Sequence, residues 1–101
     1  MTAVEDALSR PEFETADLDV GVAEADRTIE EAMKGLATSE ADHGRNYRTT
    51  DGMLVAVLAP RPSGSGDVKA TLAYRTAPAA DAATRKARRL AEALADHTID
   101  A

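Results

Sequence analysis

The stretch that decides the fold is RNYRTTDGMLVAVLAP, from Arg45 to Pro60, in which Asp51-Gly52 separates a polar segment from an apolar one. Asp-Gly between two β-prone segments predicts a β-hairpin with a two-residue turn, because both residues tolerate a positive φ. The segment before the turn is polar on both faces, which indicates an edge strand. The segment after it, Met53 to Ala59, is apolar on both faces, which is typical of a strand covered on both sides.

The segments that precede this hairpin predict a strand, a helix and a loop. Loose alternation predicts a first strand within Phe13 to Val22, and apolar residues at helical spacing predict a helix from Val22 to Leu36. The following ATSEADHG, residues 37 to 44, is polar and is interpreted as a loop.

After the hairpin, the sequence predicts a loop, a strand and a second helix. PRPSGSGD, residues 60 to 67, is rich in proline and glycine and predicts a loop. The next segment alternates, which predicts a strand whose inward residues are Val68, Ala70, Leu72 and Tyr74. Asp81 is placed as the N-cap of a final helix that runs to about Asp96.

These elements predict an α+β fold in the order β-α-β-β-β-α. We expect an antiparallel sheet of three to four strands with both helices packed on one face. The length of 101 residues predicts a single domain, 1–101, in which residues 1–11 form a loose N-terminal segment.

Composition gives the chain an acidic character with a formal net charge of −6. Acidic residues outnumber basic ones, and arginine outnumbers lysine by nine to three, which indicates a GC-rich genome, a salt-adapted cytosol or both. The N-terminus lacks a cationic stretch followed by an apolar core, and the longest apolar segment is too short to span a bilayer. We therefore expect a cytoplasmic protein without membrane contact.

The final helix contains an unusual cluster of bases in ATRKARRLAEALADH, residues 83 to 97. On a helical projection its bases occupy the whole exposed arc, and with two bases of the polar strand they are the candidate nucleic-acid-binding residues: Arg85, Lys86, Arg88, Arg89, Arg45 and Arg48. An ordinary solvated face is the alternative. Three aromatic residues and a net charge of −6 disfavour nucleic acid, which needs stacking platforms and electrostatic attraction.

The apolar strand suggests a protein partner. If both helices cover one face of the sheet, the other face of this strand needs cover, and a second copy of the chain would supply it. The candidate dimer-interface residues are Met53, Leu54, Val55, Val57 and Leu58. An N-terminal segment folded across this face is the alternative.

Catalytic and metal-binding patterns are weak. The chain has no cysteine, Ser63 and Ser65 fall in the predicted loop, and no cofactor is expected. Glu40, Asp42 and His43 are close in sequence but lack the spacing of a metal site. The sequence favours a non-enzymatic protein-interaction homodimer, with nucleic-acid binding, or small-molecule binding between helices and sheet, as alternatives.

Overall fold

A computed structural model describes residues 10–41, 44–62 and 68–98 of the chain. Within these residues, five strands and two helices follow one another along the sequence. They are β1 (Phe13–Asp17), α1 (Val22–Ala32), β2 (Ala37–Ala41), β3 (Gly44–Arg48), β4 (Leu54–Pro62), β5 (Val68–Arg75) and α2 (Ala82–Ala93), and a short 3₁₀ helix, Ala95–His97, follows α2.

All five strands form one antiparallel sheet in the order β1-β5-β4-β3-β2. Strands β2 to β5 form a meander, and β1 lies beside β5 at the opposite edge. The α+β class is therefore confirmed, whereas the predicted count of three to four strands is too low.

The additional strand is β2, which occupies most of the segment interpreted as a polar loop. It pairs with β3 along its whole length, from Ala37 opposite Arg48 to Ala41 opposite Gly44. Residues Ala37 to Glu40 are exposed on both faces of the sheet. Because neither face is buried, the segment has no apolar alternation, and this explains why its sequence resembles that of a loop.

The hairpin between β3 and β4 forms at the predicted place, but with a longer turn. The N–H of Gly52 donates to the carbonyl of Thr49 at 2.9 Å, which places Thr50 and Asp51 at the centre of the turn. Gly52 follows with a φ of 93°. A positive φ directly after such a turn is typical of a three-residue hairpin loop closed by a glycine bulge.

A second bulge, within β4, sets which residues face which side of the sheet. Tyr47 lies opposite Ala56 but the next residue, Arg48, lies opposite Leu54, so Val55 is the extra residue. The expected alternation from Met53 to Ala59 is therefore broken. Val55 joins the helix-side core, whereas Leu54 faces the opposite side with Val57.

Both helices pack on one face of the central strands, as predicted. The helix-side core combines residues of α1 and α2 with residues of β3 to β5, among them Ile29, Leu58, Leu72 and Leu90. A smaller cluster on the opposite face contains Phe13, Leu54, Val57 and Ala73. Val68, expected to face inward, is the first residue of β5 and is 61% exposed.

Candidate functional site

The main candidate site is a cleft beside α2, which we call the α2 cleft. Ala83, Ala87, Leu90 and Leu94 bury one side of the helix. A neighbouring flank lines a cavity of about 310 Å³ together with the end of β5, and its lining residues are Tyr74, Arg75, Thr76, Thr84, Arg88, Ala91, Glu92 and Ala95. The helical members are three or four residues apart, so they share one flank.

Thr84 is the most unusual member of this lining. Its side chain is 2% exposed, and its hydroxyl makes no hydrogen bond within the described residues. Thr84 is the third residue of α2, so the carbonyl four residues earlier, to which a threonine inside a helix commonly donates, lies before the helix. Leaving a buried hydroxyl without a partner costs about 1 to 3 kcal/mol. Thr84 thus lines the α2 cleft and carries a hydroxyl, itself shielded from solvent, whose hydrogen-bonding capacity is unused among the described residues.

Two charged residues of α2 lie at the same cleft. Arg88 and Glu92 are exposed, and neither forms an ion pair within residues 10–41, 44–62 and 68–98. The third charged lining residue, Arg75, is engaged on the opposite face of the sheet. Its Nε donates to the carbonyl of Leu54 at 2.8 Å, and its guanidinium lies 5.1 Å from the centre of the Phe13 ring. Arg88 is therefore the cation available to a ligand.

Tyr74 contributes a neutral hydroxyl to the wall of the cleft. Burial raises the pKa of the Tyr74 phenol, and the carboxylate of Glu14 on the neighbouring strand raises it further. The phenol accordingly keeps its proton at neutral pH and remains both a donor and an acceptor.

The structure separates the bases that were predicted to bind nucleic acid. Arg85 and Arg89 are exposed on α2, and Lys86 is half-buried. Arg45 instead contacts carboxylates of α1, Asp26 at 3.2 Å and Glu30 at 3.7 Å.

Arg48, the remaining base of that set, donates from Nη1 to the carbonyl of Gly52 in the hairpin turn at 3.4 Å. The strand bases thus have partners of their own, whereas those of α2 have none among the described residues. Nucleic-acid binding stays a prediction.

The predicted dimer-interface residues fall into three environments. Met53 is 38% exposed, whereas Leu54 and Val57 are buried in the cluster on the far face. Val55 and Leu58 are fully buried in the helix-side core. Among these residues only Met53 presents substantial surface, so a dimer through this set stays a prediction that the burial of the other four does not favour.

A polar cluster between α1 and β3 was not expected from the sequence. The fully buried Tyr47 donates its hydroxyl to Oδ1 of Asp26 at 2.6 Å, and Arg45 contacts the other oxygen of that carboxylate. Burial raises the pKa of the Tyr47 phenol well above its usual value, and its hydrogen bond to Asp26 raises it further. This Tyr47–Asp26–Arg45 cluster fixes α1 to the sheet.

We expect the protein to lose stability in alkaline solution because of Tyr47. Its pKa is raised in the folded state, so this contribution is fully present below the unfolded-state pKa near 10 and is lost as the pH rises above it. Urea midpoints measured between about pH 8 and about pH 11.5 should therefore fall at the alkaline end. Tyr47→Phe should flatten that fall, and an equally steep fall in the variant would contradict the assignment.

The metal-binding and loop residues singled out in the sequence do not form a further site in the described residues. No group of three or more metal-binding side chains occurs in the described residues. Asp42, His43, Ser63 and Ser65 lie outside them. None of the described helices has the length and apolar character needed to cross a membrane.

Comparisons with known proteins do not identify a relative. No family model, curated protein sequence or solved structure gives a significant match to the chain. Its function has to be inferred from its own geometry and chemistry.

Proposed function

We propose that the protein is a non-enzymatic binder of a small molecule that carries a carboxylate, and that the ligand lies in the α2 cleft. The observation that carries this proposal is the buried hydroxyl of Thr84, a residue of the cleft wall, which has no hydrogen-bond partner within the described part of the chain. A ligand that accepts or donates a hydrogen bond there would remove the cost of leaving that group unsatisfied.

The rest of the lining supports a ligand that carries a carboxylate. The guanidinium of Arg88 can donate two parallel hydrogen bonds to a carboxylate, and it has no competing ion pair within the described residues. Ala91 and Ala95 provide a small apolar wall, and Glu92 favours a ligand that also carries an amine. A cavity of about 310 Å³ lies at the lower end of the usual range for ligand sites, so the ligand is small.

The same lining suits a site that binds its ligand without catalysing a reaction. The described residues around the α2 cleft include no serine, cysteine, histidine or lysine, and their one carboxylate, Glu92, is exposed to solvent. Its hydroxyls belong to Thr76, Thr84 and Tyr74, and the first of these already donates to the carbonyl of Glu12 at 3.2 Å.

Thr84→Val tests the proposal because valine keeps the shape of threonine and removes the hydroxyl. We expect the ligand-free variant to be more stable than the wild type by about 1 kcal/mol, since a buried group without a partner is removed. We expect the same variant to lose ligand binding. Urea unfolding measures the stability of the ligand-free variant. Amide chemical-shift titrations with acetate, glycine, alanine and succinate at low ionic strength measure ligand binding.

Charge variants on α2 provide the matched controls. Arg88→Gln should abolish the carboxylate response, whereas Arg85→Gln removes the same charge from an exposed position outside the cleft lining and should leave it unchanged. Acetamide, which has the shape of acetate without the charge, should give no response in the wild type. Equal responses of the two arginine variants, or a Thr84→Val variant that still binds, would refute the site.

A further inference from the structure

We infer that the exposed edge of β2 is a self-association surface, and that its partner is the β2 strand of a second copy. This surface is distinct from the α2 cleft and from the sheet face considered in the sequence. β2 pairs with β3 on one side, and no strand covers its other side among residues 10–41, 44–62 and 68–98. In an antiparallel ladder, every second residue directs its N–H and C=O away from its partner, so these groups of β2 are available.

Within the described residues, the β2 edge lacks the usual protections against pairing. Natural edge strands are blocked by lysine, proline, bulges or a covering segment. The sequence of β2, ATSEA, contains neither lysine nor proline, and its register with β3 is continuous. Its four residues from Ala37 to Glu40 are exposed.

The opposite edge of the sheet, at β1, is partly covered by the C-terminal part of the described chain. Leu18, just beyond β1, bridges to Thr98, and the N–H of Asp19 donates to the carbonyl of His97 at 2.6 Å. β1 itself carries two exposed carboxylates, Glu14 and Asp17, against the single Glu40 of β2. Asp17 is paired with Arg61 at 3.6 Å, so partial cover and the charge of Glu14 oppose association at β1, whereas β2 has no such cover among the described residues.

The sequence of β2 is self-complementary around Ser39. A twofold axis at this residue sets Ser39 opposite Ser39 of the second copy and Ala37 opposite Ala41 of the second copy. It also sets Thr38 opposite Glu40 of the second copy, where a hydroxyl can donate to a carboxylate. No like charges are directly opposed in this register. A strand with an unrelated sequence has no comparable reason to match, which is why a second copy is the favoured occupant.

The surroundings of the edge suit a second copy as well. Met33 and Leu36 are only partly buried, and with Thr38 they line a cleft of about 290 Å³ at the junction of α1 and β2. A twofold axis perpendicular to the sheet keeps the helix layers of both copies on the same face. A second copy paired along β2 then lies beside this cleft, whose lining also includes Glu30, Lys34 and Tyr47.

The oligomeric state tests the inference directly. Sedimentation equilibrium should be measured at up to about 1 mM protein in dilute buffer and in molar KCl, because a small interface of this kind is weak. We expect a reversible dimer of the 10.6 kDa chain. Ser39→Lys sets two ammonium groups opposite each other and should weaken the dimer about tenfold or more. Thr15→Lys makes the same charge change on exposed β1 and should have no such effect.

A cysteine variant gives a second, independent measurement. The chain has no cysteine, so Ser39→Cys introduces the only thiol. Residues directly opposite in an antiparallel pair have Cα atoms about 4.5 to 5.5 Å apart, which permits a disulfide. Ser39→Cys should therefore crosslink faster under mild oxidation than Thr15→Cys. A strict monomer under all conditions, a dimer unaffected by Ser39→Lys, or equal crosslinking of both cysteine variants would overturn the inference.

Discussion

Gly44→Ala is expected to destabilise the protein by about 3 kcal/mol or more, a large part of the stability of a small protein. Gly44 begins β3 and is buried against β4. A Cβ at this position would overlap the carbonyl oxygen of Leu58 and lie 2.9 Å from the Cα of Ala59. Both atoms belong to the backbone, so no side-chain rotation relieves the clash and the β3–β4 ladder must separate.

Gly21→Ala is the matched control for this prediction. Gly21 lies before α1 with a φ of −78°, and a Cβ there would meet only the carbonyl oxygen of Val68, at the ordinary contact distance of 3.4 Å. Urea unfolding monitored by circular dichroism should show a nearly unchanged midpoint for Gly21→Ala and a strongly lowered one for Gly44→Ala. Similar midpoints for the two variants would mean that β3 and β4 do not approach as closely as described.

Asp26→Ala is expected to cost about 2 to 3 kcal/mol, the second largest effect. The carboxylate is 16% exposed, accepts from the buried hydroxyl of Tyr47, and pairs with Arg45. Its loss leaves that hydroxyl without its acceptor and the guanidinium without its nearest carboxylate. Because α1 and β3 meet at this cluster, the loss also weakens the attachment of α1 to the sheet.

A double-mutant cycle separates the hydrogen bond from the ion pair. Asp26→Ala in a Tyr47→Phe background should cost less than in the wild type, because the hydroxyl that loses its acceptor is already absent. Glu30→Ala is the control, since Glu30 is 61% exposed and 3.7 Å from Arg45, and should cost less than about 0.5 kcal/mol. Additive costs of the two cluster variants would show that Tyr47 and Asp26 do not interact.

The sequence predicts those elements whose apolar residues mark a buried face. α1 and α2 carry apolar residues at helical spacing, and β4 and β5 are rich in apolar β-prone residues, so their positions could be predicted. The position of β2 could not be predicted, because neither of its faces is buried and its sequence has no apolar alternation. The bulge at Val55 could not be predicted either, because every residue from Leu54 to Leu58 is apolar and the sequence does not show which face of the sheet each one occupies.

The candidate sites show the same division between local and long-range information. Arg88 stood out because its neighbours in sequence are basic. The significance of Thr84 depends on a hydroxyl that has no hydrogen-bond partner among the described residues, which is a property of the packed helix and not of its sequence. The contact of Tyr47 with Asp26 joins residues 21 positions apart, on a strand and a helix, and follows no short motif.

The bulge in β4 has a consequence for cooperativity. Through it, consecutive residues serve different hydrophobic clusters: Leu54 and Val57 belong to the far-face cluster, and Val55 and Leu58 belong to the helix-side core. Neither cluster can lose its packing without moving the backbone that supports the other. The two faces of the sheet are therefore coupled through one strand, and the described part of the chain should unfold as one unit, without an intermediate in which only one face is disordered.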